Sequence, residues 1–258
     1  MSQKKILTEE KDLTDNGIRL NKYLSDSGIC SRRGADKLIE NGKIIVNGKT
    51  ALMGQRIKKG DKVVYEGREI KLYEKLILLA FNKPRGIECT TNTDTKNNLI
   101  DYLNYGRKVF YIGRLDKDSH GLLLLTNDGD LCNMIAKSVN NHEKEYIVRV
   151  NKKIDNDFIQ KMSGGVQILD TTTKKCKVKK IDDYTFNIIL TQGLNRQIRR
   201  MCEALSYKVI DLKRIRVMNI KLSNLPEGTY REVSSEEYDT LRKNLKNNKL
   251  GEKNESGK

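Results

Sequence analysis

Residues 112–131 read IGRLDKDSHGLLLLTNDGDL. Leu122–Leu125 form an unbroken apolar run, read as a deeply buried strand that ends at the Asp128–Gly129 pair. Asp116 and Asp118 precede it, Asp128 and Asp130 follow it, and Arg114 stands two places before Asp116. Asp and Gly commonly end strands and begin helices, so turn chemistry alone accounts for carboxylates at both ends of a strand. The sharper reading makes one of them a catalyst. In an extended stretch Arg114 and Asp116 point to the same side, and an arginine beside an aspartate keeps it ionised. That spacing fits a structural ion pair equally, which is the commoner meaning.

Outward from this strand the same signals repeat. LILLAFNKP (76–84) is a buried strand stopped by Pro84, and KVFYIGRLD (108–116), HEKEYIVRV (142–150) and YTFNIILTQG (184–193) read as further strands. DLCNMIAKS (130–138), DNDFIQKMSGG (155–165) and NRQIRRMCEALSY (195–207) read as helices, and 174–190 as a hairpin. The order is irregular rather than strictly alternating, which predicts an α+β domain with a mixed, mostly antiparallel sheet flanked by helices. SSEEYDTLRKNL (234–245) predicts a capped final helix. The expected division is a flexible N-terminus over 1–17, a small module over 18–75, the large domain over 76–245, and a disordered basic tail over 246–258.

Lys and Arg number 50 against 34 Asp and Glu, a net charge of +16 over 258 residues. Such a surplus favours a polyanionic partner, nucleic acid first. No apolar run is long enough to span a bilayer, and the N-terminal residues lack the apolar core of a signal peptide, so a cytoplasmic protein without a membrane partner is expected. Five scattered cysteines and two isolated histidines give no metal-ligand spacing and no disulfide framework. No nucleotide-binding glycine motif occurs, so no metal and no cofactor is expected.

The segment RLNKYLSDSGICSRRGADKLIENGKIIVNGK (19–49) predicts two short helices followed by short strands, with Ser31 capping the second helix. Arg19 and Lys22 are placed on one face of the first helix, and Arg32, Arg33 and Lys37 crowd the second. A basic face in a basic protein fits phosphate contact better than mere solvation. The segment resembles the S4 RNA-binding module. That resemblance implies that these five residues grip structured RNA.

Two further stretches carry chemistry. In QGLNRQIRRMCEALSY (192–207) an apolar stripe of Ile198, Met201, Cys202 and Leu205 faces away from Arg196, Arg199 and Arg200. Arginines crowded on one face make sense around an anion, a carboxylate or an RNA phosphate. Gly193 would let the backbone pass close to a ligand. Tyr146 opens the alternating strand 142–150, and is either core filling or a flat ring for stacking on a base.

Taken in order, NKPRGIECTT (82–91), IGRLDKDSHGLLLLTNDGDL, HEKEYIVRV, TKKCKVKK (173–180) and QGLNRQIRRMCEALSY resemble the RsuA/RluB-type RNA pseudouridine synthases, and among them the RluF-like branch. The likeness runs from Ile18 to about Leu241. It implies isomerisation of uridine to pseudouridine in RNA, 23S ribosomal RNA or its assembly intermediates, with a tRNA anticodon loop as a second candidate and the chain acting as a monomer. It assigns the catalytic aspartate to Asp116, the tyrosine beneath the target base to Tyr146, and the basic partner of the aspartate to Arg199. Arg114 is expected to help displace the flipped base. Lys117, Arg196, Gln197 and Arg200 are expected on the RNA. Arg196 stands where many relatives carry histidine. Asp118, Asp128 and Asp130 are left to shape turns. Two other classes remain as alternatives: a non-catalytic RNA-binding ribosome-assembly factor, and a glycoside hydrolase built on paired carboxylates, which would leave the arginine helix unexplained.

Overall fold

The computed structural model describes residues 16–72, 76–90, 92, 94–136 and 141–255, the last eight by backbone alone. The chain divides into two units. The first holds the residues up to Ile77 with two short returns of chain, Gly106–Val109 and Asn127–Gly129, and the second holds the remainder.

In the first unit β1 (Ile18–Arg19) leads into α1 (Leu20–Asp26), then α2 (Arg32–Glu40), β2 (Ile44–Val46), β3 (Lys49–Thr50), β4 (Arg56–Ile57), β5 (Val63–Tyr65) and β6 (Arg68–Ile70). Ser31 caps α2 through the Gly34 N–H at 3.1 Å, as its sequence predicts. Leu20, Leu24, Ala35, Ile39, Ile44, Ile57 and Val63 bury one core between the helices and the β3–β2–β5–β6 sheet. Of the five basic residues expected on RNA, Arg19, Arg32, Arg33 and Lys37 are exposed. Two details differ. Arg19 lies in β1 and only caps α1. Lys22 is half-buried and bonds Asp26 at 2.8 Å, an i,i+4 pair that holds its ammonium on the helix.

The second unit contains β7 (Leu78–Lys83), α3 (Leu99–Leu103), β8 (Phe110–Ile112), β9 (His120–Thr126), α4 (Gly129–Ala136), β10 (Lys144–Val150), α5 (Asn156–Gly164), β11 (Gln167–Ile168), β12 (Thr171–Thr172), β13 (Lys177–Lys180), β14 (Thr185–Leu190), α6 (Gln197–Ala204), β15 (Val209–Val217), β16 (Ile220–Lys221), β17 (Tyr230–Glu232) and α7 (Ser235–Glu255). Among the described residues nine of these strands form one sheet in the order β13–β14–β10–β15–β9–β7–β17, with β16 on β15 and β8 on β9, while β11 and β12 pair only with each other. The β15–β9 pair is parallel and the others are antiparallel. The mixed, mostly antiparallel sheet is therefore as expected.

The leucine run is the most protected part of it. Leu122–Leu125 are each 0 % exposed, because β7 and β8 both pair with β9. On the other half of the sheet α5 and α6 share a core with β10, β14 and β15. Phe158 and Met162 of α5 and Ile198, Met201 and Cys202 of α6 pack with Val148, Phe186, Ile188 and Leu212.

Three elements depart from the sequence reading. β15, the longest strand, is not among the predicted elements, since VIDLKRIRV mixes charged and apolar residues without a strict alternation. α6 begins at Gln197 rather than Asn195, because Arg196 takes a left-handed backbone with φ 50° and cannot extend the helix. α7 continues to Glu255, so the expected disordered tail over 246–258 is helical through residue 255. Most of the expected flexible N-terminus, 1–17, lies outside the described residues.

Candidate active site

A cavity of about 250 Å³ in the second unit draws together Asp116, Tyr146 and Arg199, with Arg114, Arg196 and Gln197 also in its lining. Its floor is the sheet. Lys144, Tyr146 and Val148 alternate onto one face of β10, and Val148 already belongs to the core beneath α5 and α6. A bulge between Glu145 and Tyr146 sets Arg214 directly opposite Tyr146. Residues opposite one another in a ladder share a face, so Arg214 and Tyr146 lie side by side on the floor.

Asp116 reaches the cavity from the loop between β8 and β9. The Ser119 N–H donates to the Asp116 carbonyl at 3.0 Å and closes a tight turn. The carboxylate is about one-third exposed, 32 %, and its Oδ2 lies 3.7 Å from Arg196 Nη1 and 3.8 Å from Arg199 Nε. Arg114 was expected beside it in an extended stretch. The GRLD segment is not strand beyond Ile112, so alternation does not apply, and Arg114 is exposed with no ion pair to Asp116.

The two arginines differ in kind. Arg199 sits in the first turn of α6, only 9 % exposed, although the helical pattern put it on the outer face. Its Nη2 donates to the Asp118 carbonyl at 3.3 Å and to Ser119 Oγ at 3.2 Å. It thus grips the backbone on the far side of the aspartate as well as facing the carboxylate. Arg196 is exposed and caps α6 in the left-handed conformation, a strain of roughly 1–3 kcal/mol that proteins keep mainly where a side chain must be aimed.

Gln197 was expected on RNA. It is buried, its side-chain oxygen accepts the Leu194 N–H at 3.0 Å, and its task is to close the turn before α6. Arg200 is half-buried and folds back onto Asn195 at 3.1 and 3.2 Å. Lys117 is exposed, and its carbonyl accepts the Gly86 N–H at 2.9 Å. Gly193 lines the cavity with nothing within 4 Å of where a Cβ would stand.

Sequence reasoning missed three cations around this site. Arg214 is 2 % exposed; its Nε donates to the Leu122 carbonyl at 2.6 Å and its Nη1 to the Arg114 carbonyl at 3.4 Å. That contact depends on Gly121, whose φ is 101° and whose Cβ would fall 2.3 Å from the Arg214 carbonyl oxygen. Lys144 lines the cavity, and burial, with Arg214 nearby, pulls its ammonium down to about 8. Lys83 is fully buried and ties the Pro84 and Ile87 carbonyls at 2.8 and 2.7 Å. Burial lowers its pKa, while Cys89 and Asp116 push the other way. The signal for Lys144 was present: it stands two residues before Tyr146, on the same strand face.

Residues 77–204 match the family model for RNA pseudouridylate synthase, and residues 18–63 the model for the S4 domain. The chain is 52 % identical to the dual-specificity RNA pseudouridine synthase RluF of Escherichia coli K12, over 91 % of this chain and 82 % of that one. The chain belongs to the RNA pseudouridine synthases. The synthase is also 32 % identical to ribosomal large subunit pseudouridine synthase B of Bacillus subtilis 168, over 87 % of this chain and 95 % of that one. A crystal structure of a pseudouridylate synthase superposes with a TM-score of 0.64 at 28 % identity, covering 87 % of the synthase and all of the other chain.

Proposed function

We propose that this synthase converts uridine to pseudouridine in large-subunit ribosomal RNA, with Asp116 as the catalytic carboxylate and Tyr146 as the platform beneath the extruded base. The observation that supports this most is the meeting of one carboxylate about one-third exposed, two arginines and an aromatic floor in a single cavity. At about 250 Å³ it is smaller than the roughly 300–1,000 Å³ typical of drug-sized clefts, and suits one base taken out of the helix.

The reaction breaks the N1–C1′ bond and joins C5 of the same base to C1′. Nothing is added overall, so an ionised carboxylate held at the sugar and a surface that retains the freed base suffice. Arg199 orients the Asp116 loop. Arg196, exposed at the cavity mouth, meets the RNA backbone. Extruding a base costs a few kcal/mol, and phosphate contacts offset it. Arg19, Arg32, Arg33 and Lys37 of the first unit and Arg114 and Lys117 of the second supply such contacts. A second RNA substrate is favoured by the dual specificity of the relative at 52 % identity, and a tRNA anticodon loop is the candidate we propose for it.

The test is chemical mapping of pseudouridine in ribosomal and transfer RNA from cells lacking the protein. Specific sites should lose their modification and regain it with the wild-type chain but not with Asp116→Asn. Unchanged maps in both RNA classes would refute the assignment.

A further inference from the structure

We propose that Lys144 is the residue that reads the base: its ammonium donates to the carbonyl oxygen at the corner of the uracil ring farthest from Asp116, with Arg214 keeping that corner positive. This rests on the reading of the cavity as a base pocket. Lys144 stands on the same strand face as Tyr146, two residues along, while Arg214 stands opposite Tyr146 on the neighbouring strand. A ring stacked on Tyr146 therefore has both cations beside it. The charges facing the cavity are Asp116, Arg114, Arg196, Arg199, Arg214 and Lys144, with Tyr146 as a further titratable group. Asp116 is bracketed by Arg196 and Arg199, both from the α6 end. Arg214, by contrast, is the charge that bears on Lys144. Lys144 Nζ makes one bond, to the His142 carbonyl at 3.3 Å, and an ammonium carries three donors.

The chemistry of uracil gives that corner a meaning. When N1 faces the sugar at Asp116, the ring atom opposite N1 is C4, so O4 lies at the far corner. After the N1–C1′ bond breaks, with its electron pair left on the base, the ring must turn to bring C5 to C1′. The ring atom opposite C5 is C2, so O2 then occupies the far corner. A donor there meets a carbonyl oxygen both before and after the turn. The C5 hydrogen then leaves as a proton and N1 takes one up, exchanged through solvent, so the product is an isomer. Cytosine fails the same test, because its exocyclic amine would point its hydrogens at Lys144 in the starting orientation. A cation that can only donate thus selects uracil and retains the anionic base while it turns. The lysine stem can follow the small displacement between the two carbonyl positions.

Saturation-transfer NMR on the full chain with uridine 5′-monophosphate and cytidine 5′-monophosphate tests this without turnover. Wild type should favour the uridine nucleotide by about tenfold, the scale of one charge-assisted hydrogen bond. Lys144→Met keeps the stem and should melt within a few degrees of wild type, yet lose the preference. Lys144→Arg should retain it. Wild-type preference should fade as pH rises past about 8, where Lys144 loses its proton, and that fading should be absent in Lys144→Arg. Asp116→Asn should abolish pseudouridine formation on unmodified large-subunit rRNA while leaving the nucleotide preference intact. A preference that survives in Lys144→Met, or none in wild type, overturns the base-reading role. Absence of pseudouridine formation by wild type alongside an intact preference overturns the reaction assignment instead.

Discussion

Replacing Arg199 by alanine should lower turnover far more than it lowers RNA affinity. Three relations disappear at once: the 3.8 Å approach of Nε to Asp116 and the Nη2 hydrogen bonds to the Asp118 carbonyl and Ser119 Oγ. A hydrogen bond from a charged donor contributes about 1.5–3 kcal/mol. Relief from holding a guanidinium in a buried site offsets part of that loss. A net loss of about 2–3 kcal/mol follows, or a melting temperature lower by roughly 4–12 °C for a chain of this size. Arg196 remains 3.7 Å from Asp116, so the carboxylate keeps a counter-charge but its loop loses its anchor. Misplacing a reacting group by about 1 Å can cost 10²-fold, so single-turnover rates should fall by about that factor. Filter binding should show the dissociation constant for RNA within a few-fold of wild type. Arg199→Lys keeps the charge without the planar fork and should recover part of the rate. Arg196→Ala, at an exposed position, should mainly weaken binding, and the weakening should fade with added salt. If Arg199→Ala bound RNA poorly but turned over normally while Arg196→Ala did the reverse, the roles argued from these contacts would be wrong.

Asp116→Asn should remove pseudouridine formation with RNA affinity kept within a few-fold; measurable turnover by this variant in a tritium-release assay contradicts its role. Changing exposed Arg32 and Arg33 together to glutamine should flatten the dependence of log affinity on log salt by about 0.7–0.9 per lost phosphate contact, and an unchanged slope would show that α2 does not touch RNA. Glu145 bonds Arg216 at 2.6 Å and Asn187 at 2.8 Å; burial pushes its carboxyl up, but these partners outweigh burial and leave it below the usual range. Its stabilising effect is therefore fully present above the unfolded value of about 4.3 and is lost as pH falls through the folded value. Denaturant melts of wild type and Glu145→Gln should differ by a constant amount above about pH 5 and converge toward pH 3; a gap that widens in acid would reverse the sign.

Much of the architecture was legible because local rules were sufficient. The leucine run of β9, Pro84 at the end of β7, the Ser31 cap and the alternation of β10 each bear on residues close in sequence. The long, ordered likeness of five motifs also marked Asp116, Tyr146 and Arg199 as one set. What local pattern could not supply was orientation. Arg199 looked solvent-facing from helical spacing, but it is buried where the Asp118 carbonyl and the Ser119 hydroxyl offer it acceptors. Arg214 lies in a stretch, 209–217, that carries no local motif. It occupies the centre of the sheet because Gly121 admits β15 at close range and leaves the Leu122 carbonyl for its Nε. Lys144 and Arg214 are 70 residues apart in sequence and meet through a bulged ladder, whose register depends on which strands pair rather than on either strand alone. Composition and periodicity thus determined the elements and the kind of chemistry. The tertiary pairing decided which cations face the base and which serve the backbone, since burial and partner geometry exist only once distant strands have met.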